Sequence, residues 1–315
     1  MSKTPLTLIS GSSHPKLAES IAKELNKDLG KVKLTTFSSG EKYVALEQTV
    51  RGQDVFIIQT CRDQLVNEDY MELFLMINAA KLSFAHKVYV ILPHMGYARQ
   101  DKIHVPREPI SAKVMADLIV TAGADSVITF ELHADQAQAF FDVPVDNIKV
   151  HKLFAHYFKQ KNLNNVTVIS PDAGGAKNAK KFADEIGAPI AILHKARPKH
   201  NQAVTTHVVG EVEGRTCVIF DDMVDTGGSV VAAREALLKQ GANNEMYLAA
   251  THPIFSGPAP ERLGSAGFNE VVVTDTLPLT KEKQFKGLKQ LSIAPLLAEI
   301  IENVSDQKSV SSLYY

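Results

Sequence analysis

The chain has 315 residues, 45% of them hydrophobic and 22% charged, enough apolar material to bury two sizeable domain cores. Lysine and arginine total 34 against 35 acids, a net charge of -1, so no global basic field holds nucleic acid or a membrane surface, and anion-binding charge has to be local. Cys61 and Cys217 lack metal-ligand spacing and sit beside apolar runs; with no basic leader and no apolar run of about 18 residues, buried thiols and a cytoplasmic location are expected.

Strand-like and helical patterns alternate along the chain. "LTLIS" precedes "HPKLAESIAKELN", "DVFIIQ" precedes "EDYMELFLMINAAKLS", "KVYVILP" precedes "ISAKVMADLIVTAG", and "SVITFELH" follows. The strand runs are continuously apolar rather than alternating, which predicts strands covered on both faces in a largely parallel sheet. The pattern restarts after residues 143–147. "HKLFAHYFKQKN" reads as a helix, "VTVISPD" as a strand, "AKNAKKFADEIG" as a helix with a glycine stop, and "PIAILHK" as a strand. "TTHVVGEV", "TCVIFDD", a helix over about 229–240, "EMYLAATHP" and "EVVVTD" complete it. Two α/β domains are expected, 1–147 and 148–304, with the tail 305–315 packing back on the first. In open parallel sheets ligands gather at the carboxyl ends of strands, which selects "HMGYARQD", "ELHADQ", "SPDAGG", "HKAR" and "DDMVDTGGS".

The last of these sets a puzzle, because Asp221, Asp222 and Asp225 crowd a turn of Thr226, Gly227, Gly228 and Ser229 that opens a helix. Free amides and the helix dipole there suit an anion, not three carboxylates. No Walker-type or dinucleotide glycine fingerprint is present, and adjacent acids do not make an EF-hand loop. A ligand with a phosphate at one end and vicinal hydroxyls at the other resolves the conflict. Amides 225–229 with the hydroxyls of Thr226 and Ser229 take the phosphate, and Asp221 and Asp222 accept from the sugar hydroxyls. The bland alternative is that the acids cap the helix and solvate a turn.

"VIFDDMVDTGG" resembles the loop that binds 5-phosphoribosyl 1-diphosphate in type I phosphoribosyltransferases and in ribose-phosphate diphosphokinases. "VRGQDVFIIQ", "GYARQDK", "ELHADQAQAFFDVPVDN", "SPDAGGAK", "THPIFSGPA" and "KSVSSLYY" resemble the diphosphokinase family in the same order across essentially the whole chain. That resemblance implies two similar phosphoribosyltransferase-like α/β domains, each a mostly parallel sheet flanked by helices. It implies transfer of the β,γ-diphosphoryl group of Mg-ATP to the C1 hydroxyl of ribose 5-phosphate. The ribose 5-phosphate loop maps to Asp221, Asp222, Asp225, Thr226, Gly227, Gly228 and Ser229. Lys195, Arg197 and Arg99 map to catalytic cations, Phe37, Ser39, Glu41, Arg99, Gln100, Asp101 and His133 to ATP binding, and His133, Asp172 and Glu131 to Mg²⁺. A phosphate-activated, ADP-inhibited homohexamer is implied, with Arg51, Gln138, Ser309 and Ser311 at the regulatory site.

The chain departs from the family's usual letters at Glu131 for aspartate, Ser39 for an acid, Ala139 for glycine and Asn178 for arginine. Those changes keep a second expectation alive, a non-catalytic regulatory partner, which would lose catalytic charges or carry an insertion in the flap. The uninterrupted "HKARPKHNQ" with Lys195 and Arg197 favours the enzyme. A phosphoribosyltransferase shares the acidic loop but lacks the "GYARQD" and "ELHADQ" segments.

Overall fold

The continuous apolar runs become strands buried along their length, as Asp54–Ile58 and Met246–Pro253, buried at every residue, show. The computed structural model describes residues 4–196 and 205–313, which divide into two units. The first comprises Met1–Lys149, Thr276–Pro278 and Ser292–Tyr315, the second Val150–Asp275 and Leu279–Leu291.

The first unit runs β1 (Leu6–Ser10), α1 (Pro15–Glu24), β2 (Val32–Thr36), β3 (Lys42–Leu46), β4 (Asp54–Ile58), α2 (Val66–Leu82), β5 (Lys87–Leu92), α3 (Ser111–Ala122), β6 (Ser126–Phe130) and β7 (Val145–Ile148). Its sheet has the order β1-β4-β5-β6-β7, every pair parallel. Each new strand is therefore added on the same side as the last. α1 starts where Pro15 supplies a helical φ and the His14 ring accepts the Leu17 N–H at 3.3 Å, and it buries Leu17, Ala18, Ile21 and Ala22. β2 and β3 stand apart as an antiparallel hairpin.

The second unit runs α4 (His151–Gln160), β8 (Val166–Ser170), α5 (Ala176–Ile186), β9 (Ile190–Ala196), β10 (Thr205–Val209), β11 (Thr216–Val224), α6 (Gly228–Lys239), β12 (Met246–Pro253), α7 (Ala259–Ser265), β13 (Glu270–Thr274) and β14 (Leu288–Leu291). The expected glycine stop of α5 is Gly187, at φ +68, a conformation that costs glycine nothing. Its sheet has the order β10-β9-β8-β11-β12-β13-β14, parallel except for β10 against β9. Strand order reverses between β8 and β11, the place where an open α/β sheet leaves a crevice at its carboxyl edge.

The last helix, α8 (Ala294–Ser305), packs with α1 in the first unit. The sequence assigns that unit only the tail from 305, whereas the compact unit takes in Ser292–Tyr315. The cause is α8's apolar face, where Leu297, Ala298, Ile300 and Ile301 are buried. No described helix is long and apolar enough to cross a membrane.

Candidate active site

β8 and β11 run side by side in register from Val166 opposite Thr216 to Ile169 opposite Ile219. Past that pairing their ends carry Ser170 with Asp172 and Asp221 with Asp222. Asp172 closes its own turn, its Oδ1 accepting the Gly175 N–H at 2.9 Å and its carbonyl the Ser170 hydroxyl at 2.7 Å. Asp221 and Asp222 are half-buried, and the Asp222 N–H donates to Asp221 Oδ1 at 2.9 Å. Burial first, then the Asp222 charge, with Asp172 adding its own, pushes the Asp221 carboxyl well above the usual carboxylate range. Like charges gathered in a partly desolvated crevice favour whatever ligand brings hydroxyl donors or a cation.

The loop after β11 is held from behind. The carbonyls of Val224, Asp225 and Thr226 accept from the Phe255 N–H (3.1 Å), the Ser256 N–H (3.0 Å) and Arg262 Nη1 (2.5 Å). Gly227 then takes φ +74 as the N-cap of α6, and a Cβ built there would meet Leu263 Cγ at 3.3 Å. A side chain at that position is opposed twice, by backbone strain and by contact. No side chain caps α6, so its first-turn amides keep the orientation that suits an oxyanion. Thr226 and Ser229 are exposed beside them. The seven loop residues singled out from the sequence are thus brought together.

Of the two cations expected on the neighbouring strand, Lys195 lies in β9, paired with Thr206 of β10. Arg197 lies outside the described residues.

The first unit carries the other expected residues in three groups. Phe37, Ser39 and Glu41 share the tip of the β2–β3 hairpin, where the Phe37 N–H donates to the Glu41 carbonyl at 2.8 Å and Ser39 Oγ to Glu41 Oε2 at 2.6 Å. Phe37 is 54% exposed, with its ring 5.6 Å from that of Tyr43. An aromatic face in solvent is the opposite of the core role that a phenylalanine at a strand end usually has.

Arg99, Gln100 and Asp101 follow β5, with Arg99 and Gln100 exposed. Their turn is tied by the Gln100 carbonyl to the Ala112 N–H at 3.2 Å and by a Ser111 hydroxyl donating to Gln100 Oε1.

His133 is exposed in the turn after β6. Glu131, expected with it at a metal, instead turns Oε2 to Lys149 Nζ at 2.9 Å, and the two side chains are only 3% and 5% exposed. Lys149 also lies 2.6 Å from Asp135 Oδ1. Nothing in the sequence singles out Lys149, since neither lysine of "DNIKVHK" carries a signal for burial. The residues expected at the regulatory site lie in the same unit. Arg51 stacks its guanidinium 4.0 Å over the Phe84 ring, Gln138 Nε2 donates to the Asp135 carbonyl at 2.8 Å, and Ser309 and Ser311 share a hydroxyl contact of 2.9 Å.

Two family models match the chain. The N-terminal domain of ribose phosphate pyrophosphokinase matches residues 6–123 and the phosphoribosyl synthetase-associated domain matches 195–315. The chain is 45% identical to the ribose-phosphate pyrophosphokinase of Bacillus subtilis (strain 168) over 309 residues, 98% of this chain and 97% of that protein. It is equally similar to that of Bacillus caldolyticus, 45% over 309 residues, with 98% of each covered. The crystal structure of phosphoribosylpyrophosphate synthetase from Mycobacterium smegmatis superposes with a TM-score of 0.91 at 43% identity, covering 96% of this chain and all of that one.

Proposed function

The chain belongs to the ribose-phosphate pyrophosphokinase family, and from that premise we propose how its own residues divide the reaction. It is a diphosphotransferase that makes 5-phosphoribosyl 1-diphosphate for nucleotide biosynthesis. The C1 hydroxyl oxygen of ribose 5-phosphate bonds to the β-phosphorus of ATP. The bond from that phosphorus to the α,β-bridging oxygen breaks, AMP leaves with the oxygen, and the hydroxyl proton is released. Transfer of this kind is governed by alignment and by neutralising charge in flight.

The observation that carries the assignment is the strand reversal at β8 and β11, which sets the acidic loop and an uncapped helix at one crevice. In this reading the amides of 225–229 and the hydroxyls of Thr226 and Ser229 hold the 5-phosphate. Asp221 and Asp222 accept from the ribose hydroxyls, so the carboxylates read the sugar. Lys195, Arg197 and Arg99 offset the charge that builds on the moving diphosphate. Gln100 and Asp101 with His133 serve ATP, and Phe37, Ser39 and Glu41 serve the ATP of a neighbouring copy in a homohexamer.

Mg²⁺ is the proposed cation. A hard ion of this kind keeps several waters and leans on substrate phosphates, so one or two side chains suffice. Asp172 and His133 are the groups assigned to it, and when bound it supplies charge neutralisation on the β- and γ-oxygens. Phosphate and ADP are the proposed effectors, acting through Arg51, Gln138, Ser309 and Ser311.

Phosphorus NMR of the protein with ATP, Mg²⁺, phosphate and ribose 5-phosphate tests the reading. AMP and a C1 diphosphate ester are expected in equal amounts, and neither without the sugar phosphate. Binding of both substrates with no turnover would replace it with the regulatory-partner alternative.

A further inference from the structure

We propose that Lys149 is a positioning residue for the His133 turn, clamping both of its ends through Glu131 and Asp135. This rests on the reading that His133 serves the ATP and metal end of the reaction. β6 and β7 are parallel neighbours in register up to Phe130 opposite Ile148, and the Glu131 N–H donates to the Ile148 carbonyl at 3.0 Å. Residues 131 and 149 therefore leave the sheet side by side. One ammonium then reaches the first residue of the turn at 2.9 Å and the fifth at 2.6 Å, with His133 midway between them.

The same edge of β7 supplies a second brace. Asn147 Oδ1 accepts the Leu132 N–H at 3.0 Å and its Nδ2 donates to Asp135 Oδ1 at 3.1 Å. Glu131 is held at φ +37, outside the comfortable range of a residue with a Cβ. Two adjacent residues of the turn and its far end thus take their geometry from Asn147 and Lys149, while His133 itself stays exposed.

A buried ion pair contributes little net stability, because desolvation offsets the attraction, yet removing one partner strands the other charge. Such a pair is better suited to specifying one conformation. Burial works against the Lys149 ammonium, and Glu131 and Asp135 more than offset that, holding its pKa above the ordinary value.

Three variants test the clamp: Lys149→Met, Lys149→Arg and the double variant Glu131→Gln with Lys149→Met. Each is followed by thermal unfolding, by kcat and KM for both substrates, and by the His133 imidazole signals in NMR, assigned with His133→Gln. Lys149→Met should lose about 10–100-fold in kcat/KM for Mg-ATP, the range for residues that orient a ligand from behind, with KM for ribose 5-phosphate within about twofold. Lys149→Arg should recover part of the loss. The double variant should regain thermal stability, because no buried carboxylate is left without the ammonium while Asp135, 41% exposed, still accepts from Asn147, but neither the activity nor the His133 signals. Activity that returns together with stability, or His133 signals unmoved in Lys149→Met, would overturn the proposal. An inactive parent protein would instead count against the proposed function, and the His133 signals would still decide the clamp.

Discussion

The two sheets obey one grammar and end differently. In the first unit the ends of β1 and β4 are closed by the unit's own side chains. Glu72 Oε1 accepts the Ser12 N–H at 2.6 Å and Gln59 Nε2 at 3.0 Å, Glu72 Oε2 accepts the Ser12 hydroxyl at 3.0 Å, and Arg62 Nη2 meets Asp69 Oδ1 at 2.6 Å. Glu72 and Asp69 have both found donors inside the fold. At the ends of β8 and β11 the acids instead face one another, and Asp221 is driven toward its neutral form by burial and by Asp222. The difference follows from topology. The first sheet adds each strand on one side, whereas the second reverses and leaves a crevice where β8 and β11 part. A carboxylate buried among donors keeps its charge within the fold, and one buried among carboxylates is pushed toward its neutral form.

The comparison predicts opposite responses to mutation, the largest outside the acidic crevice itself. Lys195→Ala should lower kcat by about 10²–10³-fold, the usual cost of one charge-stabilising donor, while calorimetry shows ribose 5-phosphate binding almost unchanged. Near-normal turnover would remove Lys195 from the charge-neutralising group. Asp221→Asn with Asp222→Asn should weaken ribose 5-phosphate binding by about 100-fold or more, at roughly 1.5–3 kcal/mol for each charged hydrogen bond lost. The same double variant should unfold at a higher temperature than the parent in the absence of ligand, since it removes the repulsion.

Glu72→Met makes the matching change in the first unit and should act the other way. It leaves the Ser12 N–H and the Gln59 amide without their carboxylate, so stability should fall by about 2 kcal/mol or more. KM for ribose 5-phosphate should not move. A stable Glu72→Met variant with impaired sugar binding would erase the distinction drawn between the two strand ends.

Proton linkage sharpens the same contrast on a smaller scale. The folded pKa of Asp221 lies well above its ordinary 3.8, so its contribution to stability is complete below that value and is lost as pH rises through the raised pKa. Ribose hydroxyls need the ionised carboxylate, so ligand binding expels the proton. Affinity should therefore fall by up to about tenfold per pH unit as pH drops through that window. Asp221→Asn should flatten the profile, which calorimetry in buffers of different ionisation heat would measure as lost proton release.

Much of this was legible in the chain because the signals are local. "VIFDDMVDTGG" states a strand, a turn and a helix start within one stretch, and the continuous apolar runs announce strands with two covered faces. The strand reversal is not legible in that way, because which strands become neighbours depends on the whole sheet. The β2–β3 hairpin is not legible in this way, because "VKLTT" has only two apolar residues, Val32 and Leu34, too short an alternation to stand out, and its other residues are exposed. Lys149 was invisible for a related reason. A lysine is a solvent residue by default, and only two carboxylates arriving from the turn after β6 make its burial tolerable.

The two cysteines show where the units do not differ, and they give the smallest effect. Cys61 and Cys217 are free and buried, one in each unit. Burial pushes each thiol up to about 12. For Cys61 the neighbouring Asp69 charge pushes the same way, against hydrogen bonds with Gly96 and Tyr70 that lower it. The thiolate is the reactive form, and at pH 8 its share of a thiol titrating near 12 is on the order of one in ten thousand. Alkylation of the folded protein by iodoacetamide at pH 8, read by mass spectrometry, should therefore leave both thiols unmodified, whereas the chain in denaturant takes up two equivalents. Rapid labelling of one native thiol would break the symmetry and show that its unit opens locally. Labelling of Cys217 in particular, suppressed by ribose 5-phosphate, would mean that β11 loosens when the carboxylates at its end have no ligand to satisfy them.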